Sequence, residues 1–94
     1  MSLEKEKGVL SLEEKHMIAI LLFLSINGQC RKIEVYQNVS SNPRIPEKLD
    51  RLEAMGLITQ TIAKGSRSVT VALTSKGKEV ANMLQGVDRI VKSD

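Results

Sequence analysis

The side chains best placed to do chemistry in this chain are cations, and their spacing suits holding a polyanion rather than making or breaking bonds. Arg44, Lys48 and Arg51 recur at i, i+4 and i+7, which sets them along one side of a helix. Just before them Ser40, Ser41, Asn42 and Pro43 form a turn, so hydroxyls, a side-chain amide and the free N–H groups of a helix start surround Arg44. Farther on, Lys64-Gly65-Ser66-Arg67 lies between two stretches rich in Thr, Val and Ile and reads as the tip of a hairpin. An arginine near a helix start can hold phosphate or reach a guanine edge. Two cations at a hairpin tip suit a phosphate backbone or a minor groove. The candidate DNA-contacting set is therefore Ser40, Ser41, Asn42, Arg44, Lys48, Arg51, Lys64, Ser66 and Arg67. Lys48 and Arg51, farther along the helix, suit phosphates more than bases; their alternative role is surface ion pairing, worth at most about 1 kcal/mol each.

Other chemistries find little support. His16 stands without a Cys, Asp or Glu at ligand spacing, so no metal site is expected. No nucleophile with a base, no carboxylate dyad and no phosphate-binding glycine loop is present, and the chain is expected to be neither an enzyme nor the holder of a cofactor. Cys30 is the single cysteine and cannot close an internal disulfide. Its neighbours Arg31 and Lys32 could lower its pKa and make it a redox sensor, although a structural thiol is the favoured reading. Tyr36 could donate to a phosphate, but its spacing with Ile33 and Val39 favours a core anchor. With Phe23 also expected inside, too few aromatics remain to stack single-stranded bases.

The charge is uneven along the chain. Residues 31–78 carry nine basic and four acidic groups, a local net charge of +5, while the segments on either side are each at −1. Ninety-four residues make one domain, burying roughly 60 to 65% of the surface of the unfolded chain. The longest apolar run, Met17 to Leu24, has eight residues, far below the roughly 20 that cross a bilayer. Without a secretion signal, and with one cysteine, a cytoplasmic setting and no membrane partner are expected.

Several elements must position these cations. Residues 1–10 read as a flexible arm, and Ser11-Leu12-Glu13-Glu14 matches a capping box that starts a first helix at Leu12. That helix runs to Ile26, is buried on two sides, and stops at Asn27-Gly28. A short second helix spans Lys32 to Ser40, with Ile33, Tyr36 and Val39 as its apolar stripe. The third carries Ile45, Leu49 and Leu52 inward and ends at Gly56; it begins either at Pro43 with Asn42 as its cap, or at Pro46. Strands over Thr59–Ala63 and Ser68–Leu73 follow, with a short third strand expected near Gln29–Arg31. Thr74 caps a last helix whose Val80, Met83, Leu84, Val87, Ile90 and Val91 follow a 3-4-3-4 spacing and form a candidate dimer seam. The fold class is mainly α with a small β hairpin, α+β, in the order α-α-α-β-β-α.

With Leu49-Asp50-Arg51-Leu52-Glu53-Ala54-Met55-Gly56-Leu57-Ile58 and Leu73-Thr74-Ser75-Lys76-Gly77 in place, the chain resembles prokaryotic winged helix-turn-helix transcriptional regulators, especially the MarR-like and PadR-like groups and small archaeal relatives. The resemblance covers residues 11 to 92. It implies a homodimer on double-stranded DNA, with residues 11–73 as the DNA-binding domain, residues 74–94 as a dimerisation helix, the third helix in the major groove and the hairpin as a basic wing. The chain lacks the extra helices that build a ligand pocket in MarR-like proteins, so no small-molecule effector is expected. Glu47 and Asp50, on the solvent side of the third helix, would repel phosphates unless Glu47 pairs with Arg51. They leave open the alternative of a winged-helix module that binds protein without DNA.

Overall fold

A computed structural model describes residues 8–93. A 3-10 turn over Gly8–Glu13 leads into helix α1 (Met17–Asn27), strand β1 (Cys30–Arg31), helix α2 (Lys32–Asn38), helix α3 (Ile45–Ala54), strands β2 (Ile58–Ile62) and β3 (Val69–Leu73), and helix α4 (Ser75–Lys92). The three antiparallel strands are ordered β1-β3-β2, with Cys30 opposite Val71 and Ile58 opposite Leu73. The α+β class and the short third strand expected from the sequence are both present. Among the described residues no helix is long and apolar enough to cross a membrane. Residues 1–7 of the expected arm lie outside the described residues; Gly8 to Leu10 belong to the 3-10 turn.

The core forms where the helices meet the sheet. Met17, Ile20, Leu21 and Leu24 of α1, Val35 of α2, Ile45, Leu49 and Leu52 of α3, Ile58 and Val71 are almost completely buried. Each such side chain contributes about 1.5–3 kcal/mol relative to exposure. Helix α4 joins this core through Ala81 and Gly77. A Cβ on Gly77 would stand 1.9 Å from the Leu57 carbonyl oxygen, so a glycine there lets the helix lie directly on the chain entering β2. Gln85 Nε2 donates to Ser25 Oγ at 2.9 Å, a polar clasp between α4 and α1.

Several local signals act as expected. Gly28 and Gly56 close α1 and α3 at φ of 77° and 78°, in the left-handed region that L side chains avoid. Thr74 Oγ1 accepts from Gly77 N at 2.9 Å and donates to Gly56 O at 2.6 Å, capping α4 and fastening it to the end of α3.

Others are redirected by tertiary contacts. Ser11 caps no helix: its hydroxyl donates to Gly8 O at 2.6 Å within the 3-10 turn. Glu14 is drawn across to α3, and α1 begins only at Met17, after His16 turns the chain at φ 73°. In α2 the buried residue is Val35, whereas Ile33, expected inside, is half exposed; Tyr36 and Val39 do pack against the core. Helix α1 buries one broad face and leaves Ile18 and Ile26 outside. Helix α3 takes neither expected start. Ile45 is its first residue and Pro46 its second, where an amide is not needed.

Candidate nucleic-acid interface

Helix α3 turns Ile45, Leu49 and Leu52 into the core, and at about 100° per residue its opposite side carries Glu47, Asp50, Arg51 and Ala54, all exposed. The two flanks of this outer surface are held differently. On one, Glu14 accepts from Lys48 Nζ at 3.5 Å and from Arg51 Nη1. Lys48 is thereby half-buried, its side chain 14% exposed against 61% for Arg51. The i, i+4, i+7 cationic row is split: Arg51 pairs with Glu14 rather than with Glu47, and Arg44 at the helix start is exposed with no side-chain partner among the described residues.

The other flank leans on the hairpin. Gln60 of β2 donates its backbone N–H to Glu53 at 2.9 Å, and its Nε2 donates to Asp50 at 2.9 Å and to Glu53 at 3.3 Å. One glutamine amide thus occupies two of the three carboxylates of α3 and fixes the hairpin beside the helix. At the far end Lys76 Nζ donates to Met55 O at 3.0 Å, satisfying a carbonyl at the C-terminus of α3. Glu14, Gln60 and Lys76 are not among the candidate contact residues; the sequence places Glu14 in a capping box and Lys76 in the motif after the hairpin, with no role toward α3. All three act across the fold, and only a long-range contact could have revealed them.

The turn before α3 is organised by its own side chains. Ser40 Oγ accepts from Asn42 N at 3.1 Å and Asn42 Oδ1 from Arg44 N at 2.8 Å, so both oxygens fix the backbone that presents Arg44. Ser41 is exposed. At the hairpin tip Ser66 N donates to Ala63 O at 2.9 Å, Gly65 takes φ 80°, and Ser66 Oγ accepts from Ser68 N at 3.0 Å. These bonds shape the tip and leave Lys64 and Arg67 exposed.

No protein-family model and no curated protein matches the chain. Solved structures share its shape. A transcriptional regulator homologue protein from Pyrococcus horikoshii superposes with a TM-score of 0.72 at 18% identity over 95% of both chains. The chain has a winged-helix fold. A mutant of ZitR from Lactococcus lactis, in apo form, gives 0.71 at 22% identity over 80% of this chain and 58% of its own, so this winged helix spans under two thirds of ZitR. AbfR, solved in reduced form bound to DNA, gives 0.58 at 19% identity over 83% of this chain and 69% of its own. Within this fold residues 58–73 form the β-hairpin wing that follows α3.

Cys30 is buried, and burial first, then the nearby Glu34 carboxylate, push its thiol pKa up, against the lowering expected from the cations beside it in sequence. One of those, Arg31, is engaged with Glu34, to which its backbone N–H donates at 3.1 Å and its Nε at 3.2 Å; these bonds hold Glu34 below the usual carboxylate range. Among the described residues no cluster of His, Cys, Asp and Glu could hold a metal ion.

Proposed function

We propose that this chain is a transcriptional regulator that binds double-stranded DNA sequence-specifically as a homodimer, with α3 in the major groove and the wing on the backbone or minor groove. The observation that carries the reading is the pairing of an exposed α3 surface, opening on Arg44, with an adjacent hairpin whose tip presents Lys64 and Arg67. The DNA complex of the similarly folded AbfR supports the class of partner. Of the nine candidate contact residues, Arg44, Ser41, Lys64 and Arg67 are exposed and open to a phosphate or base. Ser40, Asn42 and Ser66 shape the two presenting loops, and Lys48 and Arg51 reach a phosphate only in competition with Glu14. Phosphate contacts supply most of the affinity and the first turn of α3 the choice of sequence.

The dimer rests on α4. Of its six-residue apolar seam, Val80 and Leu84 pack on the chain's own core, while Met83, Val87, Ile90 and Val91 are between 56% and 75% exposed. An uncovered row of this kind suits a second copy. A two-fold pair would set the recognition helices roughly 34 Å apart, one DNA turn.

The acids on the outer surface of α3 favour a second reading, a winged-helix module that binds protein alone. A mobility-shift titration with genomic duplex fragments at low salt separates them: a salt-sensitive shift, competed better by DNA than by RNA duplex, is expected. Undetectable DNA binding at low salt leaves the protein-binding module, and stronger competition by RNA duplex redirects the proposal to RNA.

A further inference from the structure

The carboxylates on and beside α3 are engaged with one exception. Glu14 holds Lys48 and Arg51, Asp50 and Glu53 share Gln60, and Glu47 has no partner among the described residues. Glu47 is exposed in the first turn, three residues after Arg44 and so its neighbour on the helix surface, about 5–6 Å away between Cβ atoms. A free acid there weakens attraction to phosphates, and a surface meant only for the backbone would bind better without it. Its presence makes sense against base edges. A carboxylate only accepts hydrogen bonds, and the major groove offers it the amino groups of cytosine and adenine. Adenine presents its N7 lone pair beside the amino group, which repels a carboxylate, whereas cytosine presents its amino group with no acceptor of its own next to it.

Resting on the DNA-binding reading above, we propose that Glu47 is a specificity-determining residue that accepts a hydrogen bond from the N4 amino group of a cytosine in the major groove. The spacing of about 5–6 Å from Arg44 sets that cytosine one or two base steps, of about 3.4 Å each, from the base Arg44 meets. Glu47 and Arg44 then form a reading pair, because Glu14 keeps the remaining α3 cations to one side.

The test is selection from a random duplex pool with the wild-type chain, Glu47→Ala and Glu47→Gln, each checked for fold by circular dichroism. The wild type is expected to enrich a site with one invariant cytosine. Glu47→Ala should lose preference for that base by about five- to tenfold, the lower end of what a good base contact discriminates. Glu47→Gln should move it toward adenine, which a glutamine pairs in bidentate fashion. The inference is overturned if Glu47→Ala keeps the same site, or if it binds every sequence more tightly with the site unchanged, since Glu47 would then only repel phosphate. A folded wild type that enriches no sequence removes the sequence-specific DNA-binding reading itself, an outcome distinct from an enriched site indifferent to Glu47.

Discussion

Glu14→Gln replaces the acid that restrains Lys48 and Arg51 by an amide of the same shape, and two consequences of opposite sign follow. Stability should fall. Arg51 is 61% exposed and its pair is heavily screened by water, while Lys48 at 14% is held more firmly; together the loss is about 1 kcal/mol. For a domain of this size that lowers the melting midpoint by about 4–8 °C. DNA binding should tighten at low salt, because two more cations per chain become free to displace counterions. At about 0.9 per phosphate contact, the slope of log affinity against log salt steepens by about 1.8 per chain. Between about 50 and about 200 mM salt, affinity should then drop by about twelvefold more than in the wild type for each chain bound, about 150-fold for the proposed dimer. Fluorescence anisotropy of a labelled duplex across that range measures the slope, and a thermal melt measures the stability. A lower melting midpoint with an unchanged slope would refute the reasoning, because Glu14 would then be structural alone.

Replacing both Lys64 and Arg67 by Ala should weaken binding to all sequences alike and reduce the same slope by about 1.8 per chain, again by anisotropy; an unchanged slope removes the wing tip from the interface. Gly77→Ala drives a Cβ into the Leu57 carbonyl and should cost about 3 kcal/mol or more, seen as a lower urea midpoint; a loss under about 1 kcal/mol would mean that α4 can lift without penalty. Cys30, with its thiol pKa raised, should react with iodoacetamide at pH 8 more slowly than an unstructured thiol and accelerate only at higher pH. Equal rates in the native and urea-unfolded chains would contradict the burial argument. Val87→Asp places a charge in the exposed row of α4 and should shift sedimentation from dimer toward monomer and abolish the concentration dependence of the melting midpoint that a dimer confers. A monomeric wild type would remove the seam from the proposal.

The parts legible in the sequence are those governed by neighbouring residues. Gly28 and Gly56 end helices because the backbone there needs positive φ; Thr74 caps because its hydroxyl reaches an amide three residues on; Ile45, Leu49 and Leu52 face inward because helical geometry aligns them. Where two solutions competed, distant contacts decided. Ser11 and Glu14 satisfy a capping pattern, yet Glu14 is engaged by two cations on α3 and α1 begins later. In α2 the three-residue spacing selects Ile33, but the packing of β3 and α2 buries Val35 instead. The cationic row on α3 is real in sequence, but which of its members are free depends on one residue, Glu14, 34 positions from Lys48 and 37 from Arg51, which no local pattern reports.

The strand order has a mechanical consequence. β3 is the middle strand, bonded on one side to β2 and on the other to β1, whose last residue, Arg31, directly precedes α2. The root of the hairpin is therefore anchored to the helical body through a shared rail, and its tilt relative to α2 is set before any partner arrives. Beyond Ile62 and Val69 the ladder stops, and residues 63–68 are shaped by bonds of their own, Ser66 N to Ala63 O and Ser68 N to Ser66 Oγ. On the proposed DNA-binding reading, a change in groove width would then be met first at residues 63–68, which carry no ladder bond to β1 or α3, and not at the stem that borders α3.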